Sequence, residues 1–335
     1  MRFGLGLSVQ HPPHDSQGQR LQEHVEQVRL AAAVGFDSVW ASQHYLSAPF
    51  TYFQPIPVLA RVAAEAGSMT LGTGCLLLPL HHPVEVAEQI ATLDVICGGR
   101  FVFGVGLGYR DAENEAMGQD PRDRVGRLVE GLEVIERLWS GEPVSYAGRH
   151  FSLHDVRISM PPLQRPRPPI WLAANSNAGV KRAARLGDAW LMNPHSTTAT
   201  LEGQLALFRD TRRVLGRPPA PDIPLIKECY VAADTATAVA KARPYLEAKY
   251  EAYRRWEQDK ALPEGERFDP DFETLARDRF LLGDPVRIGE EIARYRDRLG
   301  VTTMIFRLQW PGMDQAKVLR SIRLLGEKVL PGLPG

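Results

Sequence analysis

Nine histidines are the side chains of this chain best suited to proton transfer near neutral pH. Six of them follow segments that read as strands: His11, His14, His44, His81, His82 and His195. An imidazole exchanges a proton near neutral pH, so each is a candidate acid or base. His44, just beyond FDSVWASQ, is the strongest single candidate, against the plainer role of a loop histidine that packs or caps. His24 is expected on an exposed helix face, and His150 and His154 fall in a hairpin. No H-x-H follows the first strand and no H-E-x-x-H helix exists, so no metal site is expected. No G-x-S-x-G elbow supports a hydrolase triad. Cys75 lies in the apolar run GTGCLLL, which makes a buried, inert thiol unless a positive group lowers its pKa.

Two further segments suit a bound ligand. WLAANSNAGVKR passes from strand to helix at Asn175, Ser176 and Asn177. Small and amide-bearing residues there let backbone N–H groups reach an anion at the positive helix end, although Ser and Asn are also ordinary helix caps. GVGLGY (Gly104 to Tyr109) either admits a flat ligand against the backbone or forms a tight turn.

Eight strand-then-helix units position these residues. The strands read as RFGLGL, FDSVWA, MTLGTGCLLL, RFVFGVGLG, PIWLAA, GDAWLM, IPLIKECYVAA and VTTMIFRLQ. Eight units, with no G-x-G-x-x-G opening the first helix, favour a (β/α)8 barrel over a doubly wound sheet. A hairpin over 142–153 and a proline-rich connector over 161–169 form an insertion after helix four. A second insertion, over about 257–280, lies between strands seven and eight. A barrel builds its site at the C-terminal strand ends, where the histidines above fall.

Composition narrows the function. Forty basic residues balance forty acidic ones, so no global field favours nucleic acid or an anionic membrane. No apolar run approaches the ~20 residues of a membrane span, and no signal sequence is evident. Cys75, Cys97 and Cys229 share no short spacing and sit in apolar runs, as in a cytoplasmic protein with reduced thiols. Residues 1–335 are expected to form one domain.

The order and spacing of GFDSVWASQH, LGTGCLLLPLHHPVEVAEQIATLD, GGRFVFGVGLGY, RPPIWLAANSNAGVKRAARLGDAWL and LGDPVRIGEEIARYRDRLGVTTMIFR resemble the bacterial luciferase-like flavin-dependent oxidoreductases. The resemblance implies a TIM barrel with a flavin ring in its C-terminal mouth. It places the flavin phosphate at Asn175, Ser176 and Gly179, after Ala173 and Ala174, where many members carry Gly-Gly. It implies a cis peptide at Gly74–Cys75 forming a ridge against the ring, and it puts Gly106 and Leu107 beside the cofactor. Leu107 replaces an arginine of luciferase itself. His44 matches the catalytic histidine, with Gln43-His44-Tyr45 in place of the usual Glu-His-His. The implied function is a monooxygenase that oxidises a small organic substrate with dioxygen and reduced FMN from a separate reductase. The alternatives are a deazaflavin-dependent hydride-transfer enzyme and a non-catalytic flavin-binding protein. The resemblance also implies a homodimer, for which Val58, Ala60, Ala63, Ala64, Val86, Ala87, Ile90 and Ala91 offer small apolar helix faces. The charged stretch from about Arg254 to Phe280 is expected to be a mobile lid over the mouth.

Overall fold

A computed structural model of the chain describes residues 1–263 and 265–333. Its central element is a curled parallel sheet. The strands are β1 (Arg2–Gly6), β2 (Ser38–Ala41), β3 (Thr70–Thr73), β4 (Phe101–Gly106), β5 (Ile170–Ala173), β6 (Ala189–Leu191), β7 (Pro224–Val231) and β8 (Thr303–Arg307). Successive strands pair from β1 to β6, and β7 pairs with β8, which returns to β1. A parallel bridge between Met192 and Leu225 joins β6 to β7: Met192 N donates to Pro224 O at 3.0 Å and Ile226 N donates to Met192 O at 3.1 Å.

Side chains alternate across each strand, so one residue in two faces inward. Trp40, Val102, Trp171, Ala189, Leu191, Ile226 and Ile305 form a buried cluster on that inner face. Trp40 and Trp171 stack at its centre with ring centroids 4.9 Å apart. The intervening outward residues, such as Val39, Phe101, Phe103, Ile170, Leu225 and Phe306, join the larger cluster beneath the helices. These helices are α1 (Gln17–Ala33), α2 (Pro55–Val62), α3 (Pro83–Ile96), α4 (Arg124–Leu138), α5 (Asn177–Leu186), α6 (Thr198–Val214), α7 (Thr235–Arg255), α8 (Pro285–Leu299) and α9 (Gln315–Leu324). Side-chain caps set several starts: Ser16 on α1, Ser176 on α5, Asp234 on α7 and Asp284 before Pro285 on α8. Among the described residues, no helix is long and apolar enough to cross a membrane.

The cis Gly74–Cys75 peptide and the hairpin after helix four agree with the sequence expectation, while several other elements differ from it. The third strand ends at Thr73, and a cis Gly74–Cys75 peptide precedes a short strand, Leu76–Leu77, that pairs with β4. A short helix, Asp111–Ala116, precedes α4. The insertion after α4 contains an antiparallel hairpin, Val144–Ala147 with Ser152–Val156. The second insertion ends in a further parallel strand, Phe280–Gly283, on the C-terminal half of β7. That insertion is also better packed than expected of a charged, mobile segment: Leu262, Phe268, Phe272 and Leu275 are buried. Glu264, within the expected lid, lies outside the described residues. The small faces expected at a dimer contact are largely used internally, since Val58, Val86, Ala87, Ile90 and Ala91 are buried against the fold.

His24 is wholly buried rather than exposed. Its Nε2 lies 3.0 Å from Ser8 O, and its ring packs 5.1 Å from that of His11. Burial pushes His11 down to about 3, helped by the neighbouring His24 and Arg20, and burial pushes His24 down to about 4. Both rings are therefore neutral in the fold, whereas in the unfolded chain they titrate near 6.5. Stability is full above that pH and falls as pH drops toward the folded values, because only the unfolded chain takes up the protons. Between about pH 6 and 5 each histidine adds a slope of up to about 1.4 kcal/mol per pH unit. Urea midpoints should fall across this window, and less steeply in His24→Gln. A profile flat from about pH 7 to 5 would show that the pair is not held neutral.

Candidate active site

The C-terminal strand ends surround a cavity of about 850 Å³, within the ~300–1,000 Å³ range of small-molecule sites. The ten residues that the family resemblance marks out line it: His44, Gly74, Cys75, Gly106, Leu107, Ala173, Ala174, Asn175, Ser176 and Gly179; of the other candidates His195 also lines it, whereas His11, His14, His81, His82 and Asn177 do not. The ten come from the ends of β2, β3, β4 and β5, so the curl of the sheet brings together residues up to about 130 positions apart.

Beside β2, His44 Nδ1 lies 3.0 Å from Glu113 Oε1. A carboxylate only accepts, so Nδ1 carries the proton and Nε2 is left as the basic atom. The same oxygen accepts the Tyr45 amide at 2.8 Å, and the Arg110 guanidinium approaches to 3.6 Å. Glu113 is buried, and its second oxygen has no partner among the described residues. Gln43, where the family resemblance has a glutamate, does other work. Its carbonyl oxygen accepts from Leu77 N at 2.9 Å and lies 3.1 Å from His81 Nε2, while its amide donates to Tyr45 Oη and Gln54. The acidic partner of His44 thus arrives from the short helix after β4. Sequence reasoning missed Glu113, because 69 positions separate it from His44 and no periodic signal marks the contact.

The wall at β3 and β4 is thin. A Cβ added to Gly106 would fall 2.3 Å from Cys75 Sγ, and one on Gly104 would fall 1.8 Å from Thr73 O. The two strands therefore approach too closely for side chains between them, and Gly74, Cys75 and Gly106 line the cavity beside the cis Gly74–Cys75 peptide. Cys75 keeps some exposure, but burial pushes its thiol up to about 12, so it stays protonated and unreactive.

At β5, Ser176 caps α5 by accepting the Gly179 amide at 3.2 Å. Its hydroxyl thus serves the helix, while the amides of Ser176, Asn177 and Ala178 donate to no described group. Arg182, one turn further along α5, lines the same end of the cavity and has no hydrogen bond or ion pair among the described residues. Burial lowers its pKa, as does neighbouring Arg185. Free amides at a helix start beside an unpaired guanidinium form an anion cradle. Arg182 was missed in the sequence, where it reads as an ordinary helix-surface residue.

The second insertion covers the opposite rim. Arg110 lies 4.9 Å from the Trp256 ring centroid and donates to Tyr45 O and Leu46 O at 2.8 and 3.0 Å. Tyr109 Oη donates to Gln258 Oε1 at 3.3 Å, and Gln258 Nε2 lies 3.1 Å from His195 Nε2. His195, fully buried, is held neutral by burial and the surrounding cations, and it contacts Tyr250 Oη at 3.0 Å. Further along, Glu266 accepts from Thr197 N, Thr197 Oγ1 and Thr200 Oγ1 at the start of α6 and pairs with Arg279. The insertion is therefore pinned at 266–280 and meets the cavity at 256–262.

The family model described as luciferase-like monooxygenase matches residues 1–303. The chain is 31% identical to an F420-dependent glucose-6-phosphate dehydrogenase from Microbacterium testaceum, over 91% of each chain. It is 26% identical to the oxygenase component of a flavin-dependent trigonelline monooxygenase from Acinetobacter baylyi, over 76% of this chain and 72% of that one. The crystal structure of monooxygenase RslO1 from Streptomyces bottropensis superposes with a TM-score of 0.85 at 27% identity, over 99% of both chains.

The close approach of Gly106 to Cys75 has a measurable consequence. Gly106→Ala should cost about 1–3 kcal/mol through overpacking, and Cys75→Ala in the same chain should recover most of that loss. Thermal denaturation of both single variants and the double variant checks the coupling. An equal cost in either background would show that the two positions do not press on each other.

Proposed function

This chain belongs to the luciferase-like monooxygenase family, and on that premise we propose that it is a monooxygenase acting with reduced FMN from a separate reductase. The observation that carries this reading is the wall of small residues at Gly74, Gly106 and Ala173 leading to the anion cradle at α5. A flat ring needs the first feature and a phosphate needs the second. The strand pairing, with its Met192–Leu225 bridge, supports reading the sheet as a (β/α)8 barrel with insertions after α4 and between β7 and β8. We take residues 1–335 as one domain of a cytoplasmic enzyme with reduced thiols. We keep a homodimer as part of the proposal, although its contact needs residues other than the buried faces of α2 and α3.

When bound, reduced FMN would supply one pair of electrons to dioxygen and the substrate the other, so that one oxygen atom enters the substrate and the second leaves as water. The amides of Ser176, Asn177 and Ala178, together with Arg182, would hold the phosphate. Glu113 fixes the proton of His44 on Nδ1, so that Nε2 takes up or returns a proton at the cavity. Trp256, Gln258 and Tyr109 close the rim and exclude water from the reacting centre.

The identity to an F420-dependent dehydrogenase over 91% of the chain supports a second reading, hydride transfer with a deazaflavin. Titrating the purified protein with FMN, riboflavin and F420 separates the two readings. Under the first, FMN binds tightest. Losing a charge-assisted bond costs ~1.5–3 kcal/mol, so Arg182→Gln should weaken FMN at least about tenfold and riboflavin, which lacks the phosphate, less than about twofold. Tight F420 binding without FMN binding would favour the second reading, and no response of FMN affinity to Arg182→Gln would remove the cradle. His44→Asn should leave FMN affinity unchanged while substrate turnover falls by ~10²–10⁴-fold, the usual share of a general acid or base. Turnover within about twofold of wild type would take His44 out of the chemistry.

A further inference from the structure

Arg307 has no role in the scheme above. It ends β8, two residues after Ile305 and hence on the same inner face, and it lines the cavity. Its side chain is 20% exposed, and among the described residues its guanidinium donates no hydrogen bond. The nearest carboxylate is Glu228 Oε1, at 3.6 Å. Glu228 is already satisfied: Lys249 Nζ donates to Oε1 at 2.6 Å and Trp310 Nε1 donates to Oε2 at 2.6 Å. One buried carboxylate thus faces two cations, leaving an excess positive charge at the cavity floor. Among the described residues, only Asp111 and Glu257 are acidic in the lining, and they pair with Arg124 and Lys260. A half-buried guanidinium with five unused donors is costly unless an acceptor arrives.

The inner layer beneath the cavity is also lopsided. On β4 and β5 it ends in the small residues Gly106 and Ala173, whereas on β7 and β8 it ends in Glu228 and Arg307. The phosphate cradle lies on α5, after β5, three strands away from β8. The two cationic places are therefore separate.

We propose that Arg307, backed by the Lys249–Glu228 pair, is the recognition site for an oxyanion carried by the substrate, so that the enzyme takes organic acids, carboxylates foremost, rather than neutral compounds. This rests on the monooxygenase or hydride-transfer reading above, in which the ring and phosphate occupy the β3–β5 side. Arg307 presents a planar fork to the carboxylate. The carboxylate end sits at β8 and the remainder of the molecule extends toward His44 across the mouth.

The test uses cofactor-free protein and two probes of equal shape, benzoate and benzamide, with binding followed by calorimetry. Benzoate should bind at least tenfold tighter than benzamide. Arg307→Gln should weaken benzoate at least tenfold, Arg307→Lys should restore part of that loss, and Arg182→Gln should change it less than twofold. Equal binding of the two probes, or benzoate binding that survives Arg307→Gln, overturns the proposal. Benzoate binding lost in Arg182→Gln instead would place the probe in the phosphate cradle and also overturns it. FMN is then titrated against Arg307→Gln: a loss of tenfold or more would assign the guanidinium to the cofactor and overturn the proposal, while unchanged affinity supports it. If Arg307→Gln does not fold, Arg307→Lys carries the same comparison, since a compact ammonium should still bind benzoate more weakly than the fork does. Failure of FMN to bind wild-type protein bears on the proposed function alone, because the benzoate arm needs no cofactor.

Discussion

The stack of Trp40 on Trp171 is the contact on which the cavity depends. Two indoles lying flat, with centroids 4.9 Å apart, fill the interior of the sheet just below the strand ends. Large aromatic rings tolerate this only where their neighbours give way. A Cβ on Gly72 would fall 2.2 Å from the Trp40 ring and one on Gly4 would fall 2.7 Å from its Nε1, so the strands on either side of β2 carry glycine where Trp40 crosses them. Trp40 Nε1 finds its hydrogen bond on its own strand, at Ser38 Oγ, 2.8 Å away. Packing at crystal-like density makes this plug a firm floor. Everything above it is free to be polar, because the plug and not the site residues supplies the burial.

Above that floor, buried charge is used twice with different partners. Glu113 accepts from His44 and Tyr45, and Glu228 from Lys249 and Trp310. Burial alone would raise the Glu228 carboxyl, yet Lys249 and Arg307 hold it below the usual range, so it stays charged. A buried ion pair contributes little net stability, since desolvation offsets most of its attraction, but losing one partner is expensive. Such pairs therefore fix geometry more than they stabilise. Here they hold the His44 imidazole and the Lys249 ammonium at the same cavity.

Much of this was legible in the sequence, for a reason that lies in the sheet itself. A strand buried on both faces reads as an apolar run, and all eight such runs became strands. The ligand-facing residues were also legible, because strand ends collect them and because glycine and alanine mark close approach. What failed to show was any contact made across the mouth. Glu113 sits in DAENEA, which looks like a solvated helix, and nothing local says that one carboxylate turns inward. His24 looked exposed because the α1 pattern is carried by Leu21, Val25, Val28 and Ala32, and only the tertiary fold brings Ser8 O and the His11 ring against its imidazole. The strand Phe280–Gly283 was hidden by the charged residues before it.

The second insertion shows how a charged segment acquires structure without a core of its own. Its composition argued for a loose lid, because so few apolar residues do not offset the entropy of ordering. The chain meets that cost with anchors borrowed from elsewhere. Glu266 caps α6 through Thr197 and Thr200, Arg279 ties it to His195 O at 2.6 Å, and Phe268 packs 4.9 Å from the Tyr250 ring. These contacts lie on the wall of the fold, away from the rim. Toward the cavity the segment rests on Arg110 and Phe50 at Trp256, on Tyr109 and His195 at Gln258, and on the buried Leu262. The segment is thus tied to the wall at 266–280 and rests over the cavity at 256–262, so its charged composition is met by partners on the rest of the fold and not by a core of its own.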